Sequence, residues 1–240
     1  MKIFQALFTI YSLLIFTALL LLLGIFIVVP LLFSDQAGKI SFFFIRLWAR
    51  TWSLLSGFRF EIHGRDHIDV KQPYIYIFNH RSFFDAPIIP IAIPQQVRAL
   101  GKKELSKIPF FGWVVGKLAI WVDRDNPESR KESIPKLIEI LNKGISIVVA
   151  PEGTRNDTEG LLLPFRKGAF RLSMETEIPI MPFAIIGADT IHKRGSLFLS
   201  PGKVKIYFSK PIHPDDHHSI DDLAEKCRNR LEIMLSNNLK

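Results

Sequence analysis

The sequence predicts an α/β fold, a mostly parallel mixed sheet flanked by helices and preceded by a membrane-inserting two-helix segment. Three observations carry this reading. Residues 3–33 contain no charged side chain, a stretch longer than the roughly 20 residues a helix needs to cross a bilayer. After Gly57, short β-branched or aromatic runs alternate with helix-length stretches, the pattern of strands joined by covering helices. Two polar clusters follow directly on predicted strands, at the carboxyl ends where ligands gather in such sheets.

The apolar opening comes first in the chain. Residues 19–29 are hydrocarbon apart from Gly24. A secretory signal would have an apolar core of about 7–15 residues followed by a small-residue cleavage site, and neither is present. A buried helix of a soluble bundle would keep a polar face, and this run has none. Gly24 and Pro30 allow the segment to break and dip into one leaflet; an unbroken helix would span. Asp35, Lys39, Arg46 and Arg50 then punctuate a second segment rich in Phe and Trp, suited to the headgroup region. Basic residues after the apolar run place the rest of the chain on the cytoplasmic face of the inner membrane.

Residues 1–56 are therefore read as membrane-anchoring helices and 57–240 as one α/β domain. The predicted strands are 59–63, 74–78, 97–100, 120–123, 145–150, 180–186 and 203–208. The helices between them are 83–93, 128–142, 167–177 and 221–239. With 240 residues, 48% of them hydrophobic, the chain has ample material for a core. Its net charge of +8 suits an anionic partner. Nucleic acid is excluded by the lack of any reader motif, and membrane lipids are favoured by the apolar segment. The single cysteine, Cys227, rules out an internal disulfide and a thiolate metal cluster. His213, Asp215, Asp216, His217, His218, Asp221 and Asp222 lack a defined ligand spacing, so no metal site is expected; acidic residues there start the last helix.

Strand 74–78 runs straight into Asn79-His80-Arg81-Ser82-Phe83-Phe84-Asp85. An imidazole at a strand end with a carboxylate just inside the next helix lets Asp85 hold one ring nitrogen of His80, leaving the other to accept a proton. That is the equipment of a general base near neutral pH. Ser82 as the nucleophile of a serine triad is the rival reading, but its place in the turn suits helix capping. Without an enzyme nucleophile, the base activates the acceptor hydroxyl directly.

Strand 145–150 ends in Pro151-Glu152-Gly153-Thr154-Arg155. Arg155 offers a bidentate phosphate ligand, and the amides around Gly153 and Thr154 an anion or oxyanion site. Arg124 ends another strand, so two arginines are expected to form a phosphate pocket. Lys102, Lys103, Lys107, Arg166 and Lys167 supply a basic rim.

These blocks, in this order, resemble those of the glycerolipid acyltransferases. Residues 79–85 match the family's His-x4-Asp block, 151–155 its Pro-Glu-Gly-Thr-Arg block and 178–182 its proline-bracketed block, while 120–124 fit the remaining one. The resemblance covers residues 64–211 and is closest to the bacterial 1-acyl-sn-glycerol-3-phosphate acyltransferases. It implies their fold and a transfer of an acyl chain to the sn-2 hydroxyl of lysophosphatidic acid, giving phosphatidic acid. Acyl-CoA or acyl carrier protein would be the donor, with no cofactor and the chain in an apolar tunnel. His80 would be the base and Asp85 its partner, Arg124 and Arg155 phosphate ligands, and Glu152 and Gly153 parts of the acceptor site, with Asn79, Ser82, Thr154 and Lys102 nearby. Leu118, Trp121 and Ala150 depart from the usual Gly and two Phe, which bears on acceptor and chain selectivity. Another lysolipid acceptor, or a membrane-tethered serine hydrolase, are the alternatives.

Overall fold

A computed structural model describes residues 2–35, 37–108, 112, 116, 118–123 and 126–238. Seven strands form: β1 (Arg59–His63), β2 (Ile75–Phe78), β3 (Val97–Lys102), β4 (Ala119–Val122), β5 (Ser146–Val149), β6 (Ile180–Ile186) and β7 (Lys203–Phe208). All seven were predicted, with ends displaced by two residues at most. They make one sheet in the order β1-β7-β6-β2-β5-β3-β4. β6, β2, β5, β3 and β4 run parallel, while β7 returns antiparallel against β6 and carries β1 beside it in its own direction.

The helices are α1 (Lys2–Phe33), α2 (Gly38–Leu55), α3 (Asp85–Ala92), α4 (Pro127–Asn142), α5 (Gly168–Thr176), α6 (Ala188–Ile191) and α7 (Ile220–Asn238). The four-residue α6 is too short to leave a helical period in the sequence and was not predicted. α3 starts two residues later than expected, because the Asp85 side chain holds the preceding backbone in a turn, as described below.

Strand alternation sorts the core into two layers. Tyr74, Tyr76, Phe78, Met181, Phe183 and Ile206 pack on one face against Phe42 and Trp52 of α2 and Ile88 and Ala92 of α3. Ile75, Ile77, Ile147 and Ile180 pack on the other against Leu137 and Leu141 of α4, Phe170 and Leu172 of α5, and Leu223, Cys227 and Leu231 of α7. Central β2, buried on both faces, is accordingly apolar at every position. Burial also pushes the Cys227 thiol up, as befits an inert core residue.

The N-terminal pair is part of this architecture. α1 runs unbroken through Gly24 and Pro30 to Phe33, and α2, which starts at Gly38, packs along it. Pro30 removes one helical hydrogen bond, but neighbouring Ile27 and Val28 are buried against Trp48 and Ala49, and that packing carries the helix onward. Trp52 Nε1 donates to the Ser12 carbonyl at 2.9 Å and Trp48 Nε1 to that of Phe16 at 3.2 Å. By length and composition only α1, among the described helices, is apolar enough to cross a membrane. Its outer face exposes Ile3, Leu7, Ile10, Leu14, Leu21, Ile25 and Leu32.

Arg46 of α2 locks the pair to the domain. Its guanidinium donates to the Pro90, Ile93 and Pro94 carbonyls, the last at 2.6 Å, at the end of α3, where the Ile93 amide closes on the Ile89 carbonyl. Replacing it strands these carbonyls. Arg46→Ala is expected to lower the unfolding free energy by about 2–3 kcal/mol, read from thermal or urea denaturation in detergent; an unchanged midpoint would show that the clamp contributes nothing.

Candidate active site

β2 delivers the His80 loop to the carboxyl edge of the sheet. There Asp85, 1% exposed, gathers three groups on one oxygen. His80 Nδ1 lies 2.7 Å from Asp85 Oδ2, and the Arg81 and Ser82 amides donate to the same atom at 3.1 and 3.0 Å. The carboxylate therefore shapes the backbone between strand and helix as well as the ring, and α3 begins at Asp85 itself. The second ring nitrogen of His80 takes no hydrogen bond among the described residues, so it is the one open to a proton. The ring sits edge-on to Phe78, centroids 5.7 Å apart, on the sheet face that α2 covers.

A second segment clamps the same loop. Glu152 accepts the His80 amide on Oε1 at 3.0 Å and the Leu163 amide on Oε2 at 2.8 Å, while the His80 carbonyl accepts the Asn156 amide at 2.7 Å. Burial raises the Glu152 carboxyl above its ordinary range, against the pull of these amides and of the His80 and Arg81 charges. The resemblance implies that Glu152 is part of the acceptor site; in the structure each of its oxygens accepts a backbone amide, which braces the His80 loop. Gly153 is similar. Its amide closes a turn on the Ala150 carbonyl at 3.0 Å, with φ +72°, so it does not offer that N–H to an anion. Thr154 is exposed beside it.

Asn79 pairs its side chain with both backbone groups of Ile185, at 2.9 and 2.7 Å, and so welds β2 to β6. The Ser82 hydroxyl donates to the His192 carbonyl at 3.1 Å and accepts the Phe84 amide at 3.1 Å. It caps a turn rather than α3, and no bond joins it to the His80 ring among the described residues. Arg155 lies on the ring of Phe83, its Cζ 3.6 Å from the centroid. No carboxylate among the described residues pairs with it, so the guanidinium edge is left for an anion. Lys102, at the end of β3, pairs with Glu104 at 3.4 Å on the basic rim, and Lys167 with Asp221. Arg124 lies outside the described residues. At the start of α7, His217 Nδ1 is 3.0 Å from Asp222 Oδ2.

Phe83 was missed as a site residue. Two adjacent phenylalanines between His80 and Asp85 cannot both point inward, and that was the available signal. Phe84 is buried among Trp52 and Phe58, whereas Phe83 is 56% exposed beneath Arg155. On the far side of the 150–153 turn lies a cleft of roughly 490 Å³, walled by Leu100, Val122, Leu137, Phe165 and Leu172 and rimmed by Arg166 and Lys167.

A family model for acyltransferases matches residues 59–186, more than half of the chain, and includes both clamped segments. The chain belongs to the acyltransferase family. It is 30% identical over 84% of its length to a chloroplastic 1-acyl-sn-glycerol-3-phosphate acyltransferase of Brassica napus. To the 1-acyl-sn-glycerol-3-phosphate acyltransferase of Saccharomyces cerevisiae it is 29% identical over 78%. It spans 58% and 63% of those proteins, respectively. The crystal structure of the 1-acyl-sn-glycerophosphate (LPA) acyltransferase PlsC from Thermotoga maritima shares the fold, with a TM-score of 0.84 over 99% of this chain and 98% of that one at 23% identity.

Within this acyltransferase the Glu152 brace is open to test. Glu152→Gln leaves one of the two amides facing an NH2 group, which costs about 1–3 kcal/mol. The expected result is a lower melting temperature with a reduced kcat and little change in KM, since the His80 ring is displaced while Arg155 is untouched. A rise in KM alone would instead make Glu152 a substrate ligand.

Proposed function

We propose that this acyltransferase moves an acyl chain from a thioester, acyl-CoA or acyl carrier protein, to the sn-2 hydroxyl of 1-acylglycerol-3-phosphate, forming phosphatidic acid. The observation that carries the reading is the His80–Asp85 pair with an unpaired arginine, Arg155, on the neighbouring loop. His80 Nε2 takes the proton of the acceptor hydroxyl as its oxygen attacks the thioester carbon. Asp85 fixes the tautomer and stabilises the imidazolium. Collapse of the tetrahedral intermediate breaks the carbon–sulfur bond, and the departing thiolate recovers the proton from His80. No covalent acyl-enzyme is required. The engaged Ser82 hydroxyl argues against a serine triad, and with it against the hydrolase alternative.

Arg155, held flat on Phe83, suits bidentate binding of the acceptor's phosphomonoester. The relatives, named as 1-acyl-sn-glycerol-3-phosphate acyltransferases, favour this acceptor over other lysolipids.

Membrane placement follows from the exposed hydrocarbon of α1 and α2. α1 packs along α2 and is tied to the domain near its start, where Gln5 donates to Ser200 and Thr9 accepts the Leu199 amide. A helix so engaged lies along the domain surface, and we read the pair as dipping into the cytoplasmic leaflet, with the His80 face of the sheet toward the lipid.

His80→Ala is expected to lower kcat about 10²–10⁴-fold with acyl-CoA or acyl carrier protein as donor; undiminished transfer would sink the base assignment. Arg155→Ala is expected to raise KM for lysophosphatidic acid about 10–100-fold, the loss of about 1.5–3 kcal/mol from a charged contact, while sparing lysolipids that carry no phosphomonoester. Equal loss across all acceptors would remove the phosphate assignment.

A further inference from the structure

Between α6 and β7 the chain forms a small hairpin that the reaction does not use. It is closed by an antiparallel bridge between His192 and Leu199 and by the Ser200 amide on the Ile191 carbonyl at 2.9 Å. Its base is fixed on two sides. The Leu199 amide donates to Thr9 Oγ1 of α1 at 2.8 Å, and Gln5 Nε2 of α1 to Ser200 Oγ at 3.1 Å. On the other side the His192 carbonyl accepts the Ser82 hydroxyl of the catalytic loop, and Arg194 pairs with Asp157, two residues past Arg155. The hairpin thus bridges the first turns of α1 and the rim of the active site.

Its tip carries apolar side chains outward. Leu197 is 87% exposed and Phe198 is exposed beside it, with the Ser196 hydroxyl holding the Phe198 amide at 2.9 Å. Single exposed apolar residues are ordinary on protein surfaces. Here two adjacent ones are held out by a pinned turn, next to cationic Lys193 and alongside the hydrocarbon face of α1 that begins at Ile3, Phe4 and Leu7. Apolar side chains flanked by cations are the composition of elements that seat at the boundary between anionic headgroups and acyl chains.

We propose that the 193–198 hairpin inserts Leu197 and Phe198 into the bilayer as a third contact beside α1 and α2. It fixes the active-site rim at the lipid surface, so that an acceptor leaving the leaflet passes between hairpin and Phe83 toward His80. The inference rests on the membrane placement given above and extends it to a part of the chain outside the N-terminal helices.

The test uses the full chain and the buried state of its only native cysteine, Cys227. An environment-sensitive fluorophore is placed at Leu197→Cys, with Leu21→Cys on the outer face of α1 and Glu132→Cys on the distant face of α4 as references. Vesicles contain phosphatidylcholine and phosphatidylglycerol, with or without bromine on the acyl chains. The label at 197 is expected to shift to the blue and be quenched by brominated chains, as at 21, while that at 132 stays water-like. Quenching at 21 but not at 197 overturns the hairpin proposal alone, and leaves the tip as a surface for a protein partner. Quenching at neither overturns the membrane placement itself. In a second arm, Leu197→Asp is expected to reduce transfer to vesicle-borne lysophosphatidic acid about tenfold while leaving a short-chain acceptor dissolved as monomers unaffected. Equal activity on vesicles overturns the entry role, and equal loss on both acceptors makes the residue structural.

Discussion

At the end of β2 one buried carboxylate oxygen, Asp85 Oδ2, holds the His80 ring and two successive backbone amides at once. A charge this deeply buried needs partners; all three of its hydrogen bonds fall on Oδ2, while Oδ1 is buried without one, and the engagement of Oδ2 dictates the surrounding geometry. The strand must stop, the loop must curl around the carboxylate, and α3 must begin at Asp85. Orientation of the base and the path of the chain are therefore one constraint. Glu152 repeats the device from the neighbouring strand, fixing the His80 amide and the 163 segment with its two oxygens.

The twofold alternation of the strands gives these groups their setting. Residues facing one way along β2 meet α2 and α3, and those facing the other meet α4, α5 and α7. His80 continues the first register and so comes to the face that carries the apolar helices. Strand parity alone puts it there, on the side of the apolar N-terminal helices.

The N-terminal helices are correspondingly more than a tether. Trp52 and Phe42 of α2 belong to the same core as Tyr76 and Phe183, and Arg46 donates to carbonyls at the end of α3, the helix that Asp85 starts. A rigid route of packed side chains and hydrogen bonds thus connects the exposed apolar face of the N-terminal helices to the His80 loop.

The sequence alone determined the strands, the long helices, the apolar opening and the His80–Asp85 pair, because each rests on local periodicity or on a spacing of a few residues. Tertiary structure decided what depends on contacts between distant segments. It kept α1 whole through Pro30 by packing against Trp48, set the Glu152 carboxylate on the His80 and Leu163 amides, engaged Ser82 with His192, and laid Arg155 on an exposed Phe83. These partners lie 11 or more residues from the groups they fix, beyond the reach of any local period in the sequence.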